Sequence, residues 1–529
     1  MPSLEVLIGM DKNDLDLVII GAGATGSSIA LEACKRGLKV ALIDSGDISG
    51  GTSCRSTKLL HGGVRYLEIA FKKFDLAQLN LVKEALTERG YWLKEAPFLA
   101  RQLELAIPTN NCLTKGYYGL GLKFYDYLAG DKGISKSRMI SSSEMQSTFP
   151  MLKECSSGGV AYSDGQFDDA RLNLLLALTA KNAGAIVSTH CKVINFEYKS
   201  TGKLKGIITK NLNGEEKRWQ AKVIVNATGI NSDTIRTKVD NSAEQRITTS
   251  RGIHIVLKEN LCQGDKGLLL PSTSDGRVLF ILPFFNQTLV GTTDTPCDID
   301  EAKKPSHEEK DYLLNHIKKL FPQLENPNIR SSWAGGRPLL KPKESKNSSQ
   351  IVREHEIEIL PCGLISAMGG KWTTCRKIAI DTLKAVEVLL GQSLTQVKHL
   401  PLIGTNKDNS LTLLHLKRQY IELKEYLPQT KLLEKQVIHL QAKYGLNALK
   451  LIASCSPSER NPLSEVIPIC KAEIIEDIKN EHAMTPTDIL ARRNRLAMVD
   501  YQEAQRLLPL VQEHLSIASL PIKELDLEE

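Results

Sequence analysis

The apolar pattern sets the first elements almost at once. Leu17–Ile20 leads into Gly21, Gly23 and Gly26, a helix-like segment follows, and a second apolar run ends at Asp44. Residues 16–44 therefore predict a strand, a glycine turn, a helix and a second strand. Residues 45–64 are rich in Gly, Ser and Thr and predict a loop. Ala70–Ala96 reads as a charged amphipathic helix. The stretch DDARLNLLLALTAKNAGAIV predicts a helix capped by Asp168 or Asp169 and leading into a strand. WQAKVIVNATG (Trp219–Gly229) reads as a buried strand that stops at a glycine turn. Three β-like runs, RGIHIVL, RVLFILPF and TLVGTTD, lie between residues 245 and 295. Gly363–Leu390 repeats the order strand, glycines, helix. Beyond about residue 400 the pattern is helical almost throughout, which predicts a separate helical domain. No internal repeat or low-complexity tract interrupts it.

Composition bounds this picture without redirecting it. With 529 residues, the chain is too long for one ordinary core and predicts two or three domains. Its 42% hydrophobic and 24% charged content are ordinary globular values. A net charge of +7 suits an anionic substrate or an anionic membrane surface and gives no ground for a nucleic-acid partner. The eleven cysteines are scattered and include no C-x-x-C pair, which argues for a reducing compartment and against a zinc site; no metal is expected. The opening residues MPSLEVLIGM lack the basic start and long apolar core of a secretory signal. The longest apolar runs, such as Leu172–Ala180, are about half the roughly 18 residues a spanning helix needs.

The glycine turn carries the first chemistry. Gly21 permits the tight turn, Gly23 lets backbone approach a pyrophosphate, and Gly26 lets helix and strand pack closely. Asp44, at the end of the second strand, stands where an acid can bind a ribose hydroxyl. These features leave NAD and FAD both open.

Two later segments favour FAD. VIVNATG, with Ala227 and Gly229, resembles the strand by which flavin oxidoreductases of the D-amino-acid-oxidase type return to their dinucleotide fold. SAMGGKWTT, with Gly370, Thr373 and Thr374, resembles the glycine-rich stretch that covers the flavin in the same proteins. TSCRSTKLLHGGVRYLE (Thr52–Glu68) narrows the resemblance to FAD-dependent glycerol-3-phosphate dehydrogenases. YSDGQFDDARL, GIHIVL, GTTDTP, GGRPLL, GGKWTTCRKIA and TPTDILARRNRLAMVD extend it from about residue 14 to 515.

The resemblance implies an α/β fold with three parts. A Rossmann-like FAD-binding domain would comprise 14–96, 151–230 and 341–395; a β-rich substrate domain, 97–150 and 231–340; and a C-terminal helical domain, 400–529. It implies oxidation of sn-glycerol 3-phosphate to dihydroxyacetone phosphate, with hydride passing from C2 to flavin N5 and electrons leaving to a quinone. Arg65, Arg337, Arg353 and Lys371 become candidate cations for the phosphate, with Tyr66 and Thr293 as hydroxyl donors. His254 is the candidate base, with Arg337 as its electrostatic helper. It alternates with Ile253 and Ile255 and so should face away from them. His61 is the rival, although its place in the loop suits contact with the cofactor better. Ser53, Ser56, Thr57, Lys58 and Gly62 share that loop and are expected to meet the flavin. Thr373 and Thr374 could offer N–H groups to the flavin at a helix start.

Arg492, Arg493 and Arg495 predict a basic helical face, either solvated or salt-bridged, or turned to the catalytic domain or to anionic lipid. The resemblance implies peripheral docking on the inner face of the cytoplasmic membrane and allows a homodimer. The tail carries no EF-hand loop, which favours a bacterial-type enzyme over the calcium-regulated mitochondrial branch. The competing readings are an oxygen-using glycerophosphate oxidase, an amine or amino-acid oxidase, and a non-catalytic flavin-binding module.

Overall fold

The computed structural model describes residues 15–63, 76–273, 276–341 and 355–528. They divide into two compact units. The first runs up to Ser53 and adds Asn173–Thr248 and Pro338–Leu400; the second holds Cys54–Leu172, Thr249–Arg337 and Pro401–Glu529. Residues 54–96 and 151–172, expected with the FAD-binding part, thus fold in the second unit, and 231–248 fold in the first.

The first unit is built on parallel strands. Val40–Ile43 and Glu216–Asn226 flank Leu15–Ile20, with Leu17 opposite both Val40 and Val223. Leu364–Gly369 and Ile186–Ser188 extend the parallel set outward, and His355–Ile359 closes one edge antiparallel. The run LDLVII is buried on both faces, as a central parallel strand must be, and this is why it reads as continuous rather than alternating. Strand Glu216–Asn226 serves two ladders: Glu216–Gln220 pairs antiparallel with Gly206–Lys210, and its second half joins the parallel sheet. Helix Ala24–Lys35 packs against helix Cys375–Leu390, where Ser28 Oγ donates to Cys375 Sγ at 3.2 Å.

The second unit centres on a ten-stranded mixed sheet. Its longest ladder pairs Ala100–Pro108 with Gly159–Phe167 antiparallel. Alternation along strand Ile247–Leu257 divides its side chains between two cores. Ile253, Ile255 and Leu257 pack with Leu313 and Ile317 of helix His307–Leu320 on one face. Val256 packs on the other, with Leu282, Leu289 and Trp333. That second core also contains Ile489, Leu496, Val499 and Leu507, so the C-terminal helices are folded onto the sheet. A further core, including Leu423, Val437 and Leu440, lies within those helices.

The predicted helix at Asp168 is present as Asp169–Asn182, and Arg171 N donates to Asp168 Oδ1 at 3.0 Å, so Asp168 is the residue that caps it. Of the helix expected over 70–96, Leu76–Glu95 lies within the described residues. None of the eleven cysteines forms a disulfide. Among the described residues no helix is long and apolar enough to cross a membrane.

Candidate active site

The first unit carries the dinucleotide turn. Gly21 has φ +104°, and a Cβ there would lie 2.5 Å from the Ala227 carbonyl oxygen. A Cβ on Gly26 would lie 1.8 Å from the Gly21 oxygen, so no larger residue fits without moving backbone. Helix Ala24–Lys35 begins at Gly23 with no side-chain cap from that residue and no acid in its first turn. Ala24 N donates instead to Ser53 Oγ at 2.9 Å. This end of the helix presents backbone N–H groups and a positive dipole end suited to a pyrophosphate. Asp44 Oδ2 accepts from Ala22 N at 2.6 Å and Oδ1 from Gly46 N at 2.8 Å. The carboxylate is thereby fixed at the strand end. Ala227 N donates to Ile20 O at 2.8 Å, and Gly229 turns the chain at φ +60°.

Asn173 completes the turn: its buried Nδ2 donates to Ala22 O at 2.9 Å. Sequence reasoning missed it, because an asparagine inside an apolar helix gives no sign of a partner 151 positions earlier. Gly370 has φ +85° and, with a Cβ, would meet Ile378 Cδ1 at 2.4 Å. Lys371 follows in extended conformation and caps the turn Trp372–Thr374. Trp372 Nε1 donates to Ser53 O at 3.1 Å, which ties this segment to the loop. Thr373 is buried. Thr374 N donates to Lys371 O at 3.2 Å, so this N–H closes a local turn and is not directed outward as expected. The cradle, the uncapped helix start and the fixed acid together fit the pyrophosphate and ribose of FAD.

The second unit holds the polar cluster. Its hub is Asp169, wholly buried at the start of its helix. Asp169 Oδ2 accepts from Ser56 N at 3.0 Å, Ser56 Oγ at 2.7 Å and Lys58 Nζ at 2.8 Å, while Oδ1 takes the guanidinium of Arg495. Burial works against the charge of Asp169, but Lys58 and Arg495 outweigh it and hold the carboxyl below its ordinary range. Burial, helped by the charge of Arg495, brings Lys58 down to about 8. Lys58 and Arg495 both have left-handed backbones, φ +63° and +64°, and both direct their side chains to this one carboxylate. Such a conformation costs a residue with a Cβ about 1 kcal/mol and is kept where surrounding contacts over-determine it. The expectation that Lys58 and Ser56 face the flavin gives way to this geometry, since their side chains turn inward to Asp169.

Thr57, between them, is half-buried, and its Oγ1 lies 3.0 Å from His254 Nε2. The His254 imidazole is 2% exposed and stacks on Trp333 with ring centres 5.7 Å apart. It faces away from Ile253 and Ile255, as the alternation predicted. A Cβ on the paired Gly291 would lie 2.3 Å from His254 Cδ2, so glycine makes room for the ring. His254 Nδ1 and Trp333 Nε1 are buried and have no hydrogen-bond partner among the described residues. Burial first, then the charges of Lys58 and Arg337, push the imidazole pKa well below the usual 6.5. This environment favours the neutral form of His254.

Arg337 reaches across the end of the same sheet. Its Nη2 donates to Thr292 Oγ1 at 2.8 Å and its Nη1 to Asp294 Oδ1 at 3.1 Å. A Cβ on Gly252 would lie 2.2 Å from Nη2, so this glycine admits the guanidinium. The Thr293 hydroxyl, expected as a phosphate donor, is engaged within the protein. It is fully buried, accepts from Ile253 N at 3.0 Å and donates to Glu309 Oε1 at 2.8 Å. His61 lies 6.5 Å, ring to ring, from Phe280. Gly62 N donates to Tyr125 Oη at 2.9 Å, so its amide serves the core. Arg65, Tyr66 and Arg353 lie outside the described residues.

The basic run near the C-terminus is neither a solvated face nor a lipid face. Arg492 pairs with Asp488, and Arg493 Nη2 donates to Glu481 O at 2.6 Å. Arg495 reaches Asp169 and lies 3.1 Å from Asp168. All three are buried: Arg492 meets a carboxylate four residues away, Arg493 a backbone carbonyl, and Arg495 acids distant in sequence. Asp169 could have been suspected from the FDDARL motif; nothing in the sequence points to Arg495 as its partner.

The family of FAD-dependent oxidoreductases (DAO) matches residues 16–375, and the C-terminal domain of alpha-glycerophosphate oxidase matches residues 395–518. The chain is 38% identical over 525 residues to the probable mitochondrial glycerol-3-phosphate dehydrogenase of Dictyostelium discoideum, covering 94% of this chain and 80% of that protein. It is 39% identical to the mitochondrial glycerol-3-phosphate dehydrogenase of Bos taurus, covering 97% of this chain and 72% of that one. Because these relatives are mitochondrial, they lend no support to the expectation of a bacterial-type enzyme. Among solved structures, the glycerol-3-phosphate dehydrogenase of Bacillus halodurans complexed with FAD matches with TM-score 0.75 and 27% identity, over 96% of this chain and 92% of that one. The chain belongs to the FAD-dependent glycerol-3-phosphate dehydrogenases, within the DAO family of FAD-dependent oxidoreductases.

Proposed function

We propose that the protein oxidises sn-glycerol 3-phosphate at C2 to dihydroxyacetone phosphate and passes the electrons to a quinone. The observation that carries this reading is the buried imidazole of His254, stacked on Trp333, on the strand where Gly252 admits the guanidinium of Arg337. Bound FAD supplies the two-electron hydride acceptor. Gly21, Gly23, Gly26 and Asp44 hold its pyrophosphate and ribose, and Ala227, Gly229 and Gly370 leave room for it. The guanidinium of Arg337 has the charge and the donor chemistry to meet a phosphate dianion. Lys371, Arg65, Tyr66 and Arg353 have the chemistry for the same task. His254 takes the proton from the C2 hydroxyl, and its depressed pKa ensures that it begins unprotonated.

A peripheral membrane surface and a homodimer complete the proposal. Helix Cys112–Ala129 presents Leu113, Tyr117, Leu120 and Tyr127 along its length, each more than half exposed. Aromatic and aliphatic side chains on one helix, with Lys123, Lys132 and Lys136 exposed on it and just beyond, suit an anionic lipid surface.

The test is the anaerobic visible spectrum before and after addition of sn-glycerol 3-phosphate. Bleaching of the flavin band is expected. A band that persists removes the substrate assignment, and no band after loading with FAD removes the cofactor assignment. Reoxidation by a soluble quinone faster than by air separates a dehydrogenase from an oxidase. Co-sedimentation with anionic vesicles tests the docking face, and sedimentation in solution tests the dimer.

A further inference from the structure

The chemistry assigned to His254 meets a geometric obstacle. Its ring is closed off by Trp333 on one face and by the Gly291 backbone at one edge, and only 2% of the residue is exposed. Its single hydrogen-bonded atom among the described residues is Nε2, and the partner is the Thr57 hydroxyl. Thr57 is itself half-exposed. The residues on either side of it are anchored: Ser56 through N and Oγ to Asp169, Lys58 through Nζ to Asp169 and to Cys54 O at 2.7 Å. Lys58 N also donates to Ser56 Oγ at 3.0 Å. The Thr57 hydroxyl is therefore held in place by five bonds in which it takes no part, which is how a reacting group is preorganised.

Resting on the reading of His254 as base, we propose that Thr57 is a catalytic residue that relays the substrate proton. The C2–O–H bond of the alcohol breaks and its proton passes to Thr57 Oγ1. The proton already on Thr57 Oγ1 passes to His254 Nε2. The C2 hydride leaves to the flavin, so the alcohol loses one hydride and one proton and becomes the ketone. His254 gains the proton as imidazolium. The relay requires the tautomer protonated at Nδ1, in which Nε2 accepts from the threonine. A hydroxyl is needed for this step because it can accept and donate at the same atom. The anchoring by Asp169, Lys58 and Arg495 then has a purpose: it fixes the relay atom, while the carboxylate remains out of contact with the substrate.

The test uses the FAD-loaded protein and measures the rate of flavin reduction by sn-glycerol 3-phosphate at pH 7. Thr57→Val keeps the shape and removes the hydroxyl, and should slow reduction about 100-fold. Thr57→Ala is made alongside it, so that a packing failure of one variant leaves the other. Thr57→Ser should restore part of the rate. His254→Gln should slow reduction to a similar extent, and the double variant should be no slower than His254→Gln alone. FAD content, melting temperature and the affinity for dihydroxyacetone phosphate, read from the shift of the flavin spectrum, should stay within threefold or a few degrees of the parent. If Thr57→Val and Thr57→Ala reduce within threefold of the parent while His254→Gln is slow, the relay is overturned and His254 remains the base. If the two losses multiply in the double variant, the residues act independently and the relay is overturned. If His254→Gln is itself within threefold, the reading of the base fails and the relay fails with it.

Discussion

Lys58 Nζ and Asp169 Oδ2 lie 2.8 Å apart, in a place where the two side chains are 1% and 0% exposed. A buried pair of this kind is costly to form and more costly to break, because removing one partner strands the other charge. Here Arg495 shares the same carboxylate. Asp169→Asn would therefore leave two cations facing one another, and we expect a loss of about 3–5 kcal/mol in urea unfolding. Adding Arg495→Met to that variant should recover part of the loss, since one stranded cation is gone. A double variant less stable than Asp169→Asn would overturn this account.

Gly252 offers a way to disturb Arg337 without touching it. An added Cβ would lie 2.2 Å from its Nη2 and 2.6 Å from Thr292 Oγ1, both at the ends of side chains. Gly252→Ala should displace the guanidinium and leave the backbone in place. We expect KM for sn-glycerol 3-phosphate to rise about tenfold, since uniform binding is worth about 1.4 kcal/mol per decade. The melting temperature should move by only a few degrees. An unchanged KM would remove Arg337 from phosphate binding.

The pH dependence of kcat/KM reports His254. Burial and the charges of Lys58 and Arg337 hold its pKa well below 6.5, so the acidic limb should fall below that value. Lys58→Met removes one of the two cations and should move the limb upward. The same depression makes a stability statement. The folded imidazole refuses a proton that the unfolded one accepts, so this contribution is lost as pH falls below about 6.5. A limb at or above 6.5 in the parent protein would falsify the electrostatic reading.

Glu473 should dominate a different pH range. Burial opposes its charge, but His439 Nε2 at 2.8 Å, Lys443 Nζ at 3.4 Å and Cys470 N at 3.0 Å hold its pKa at about 2 rather than 4.5. A depressed carboxyl stabilises the fold above its unfolded pKa and ceases to do so as pH falls through the folded one. Glu473→Gln should therefore cost about 3 kcal/mol at pH 7. The gap from the parent should narrow below pH 4.5, and thermal unfolding at pH 7, 5 and 4 measures it.

The parts of the fold that were legible share a physical cause. Leu15–Ile20, Val40–Ile43 and Val223–Asn226 are buried on both faces, so a continuous apolar run announces each of them, and glycines mark where each stops. Asp168 caps its helix through a contact three residues away, and such local chemistry is visible in sequence. His254 was legible because a polar residue alternating with isoleucines must leave their face. The clearest differences between expectation and geometry concern polar side chains whose partners are remote. Arg495 looked like surface because Asp169 is 326 positions away. Lys58 looked like a cofactor ligand for the same reason. Thr293 is the second of two threonines that follow glycine in a β-like run, yet Glu309, 16 positions on, takes its hydroxyl. Cys54–Leu172 alternates between strands and helices much as the dinucleotide unit does, so its pattern alone does not assign it to either unit.

The place of Arg495 in the chain also orders events during synthesis. Lys58 and Asp169 leave the ribosome long before their third partner exists. Until the last C-terminal segment emerges, the carboxylate must balance Lys58 alone. The sheet face bearing Leu282 and Trp333 likewise waits for Ile489, Leu496 and Val499 to cover it. The loop Ser56–Lys58 is therefore among the last parts of the protein to settle, and a nascent chain halted before residue 495 leaves this apolar face open. The catalytic cluster is complete only once the whole chain has been made.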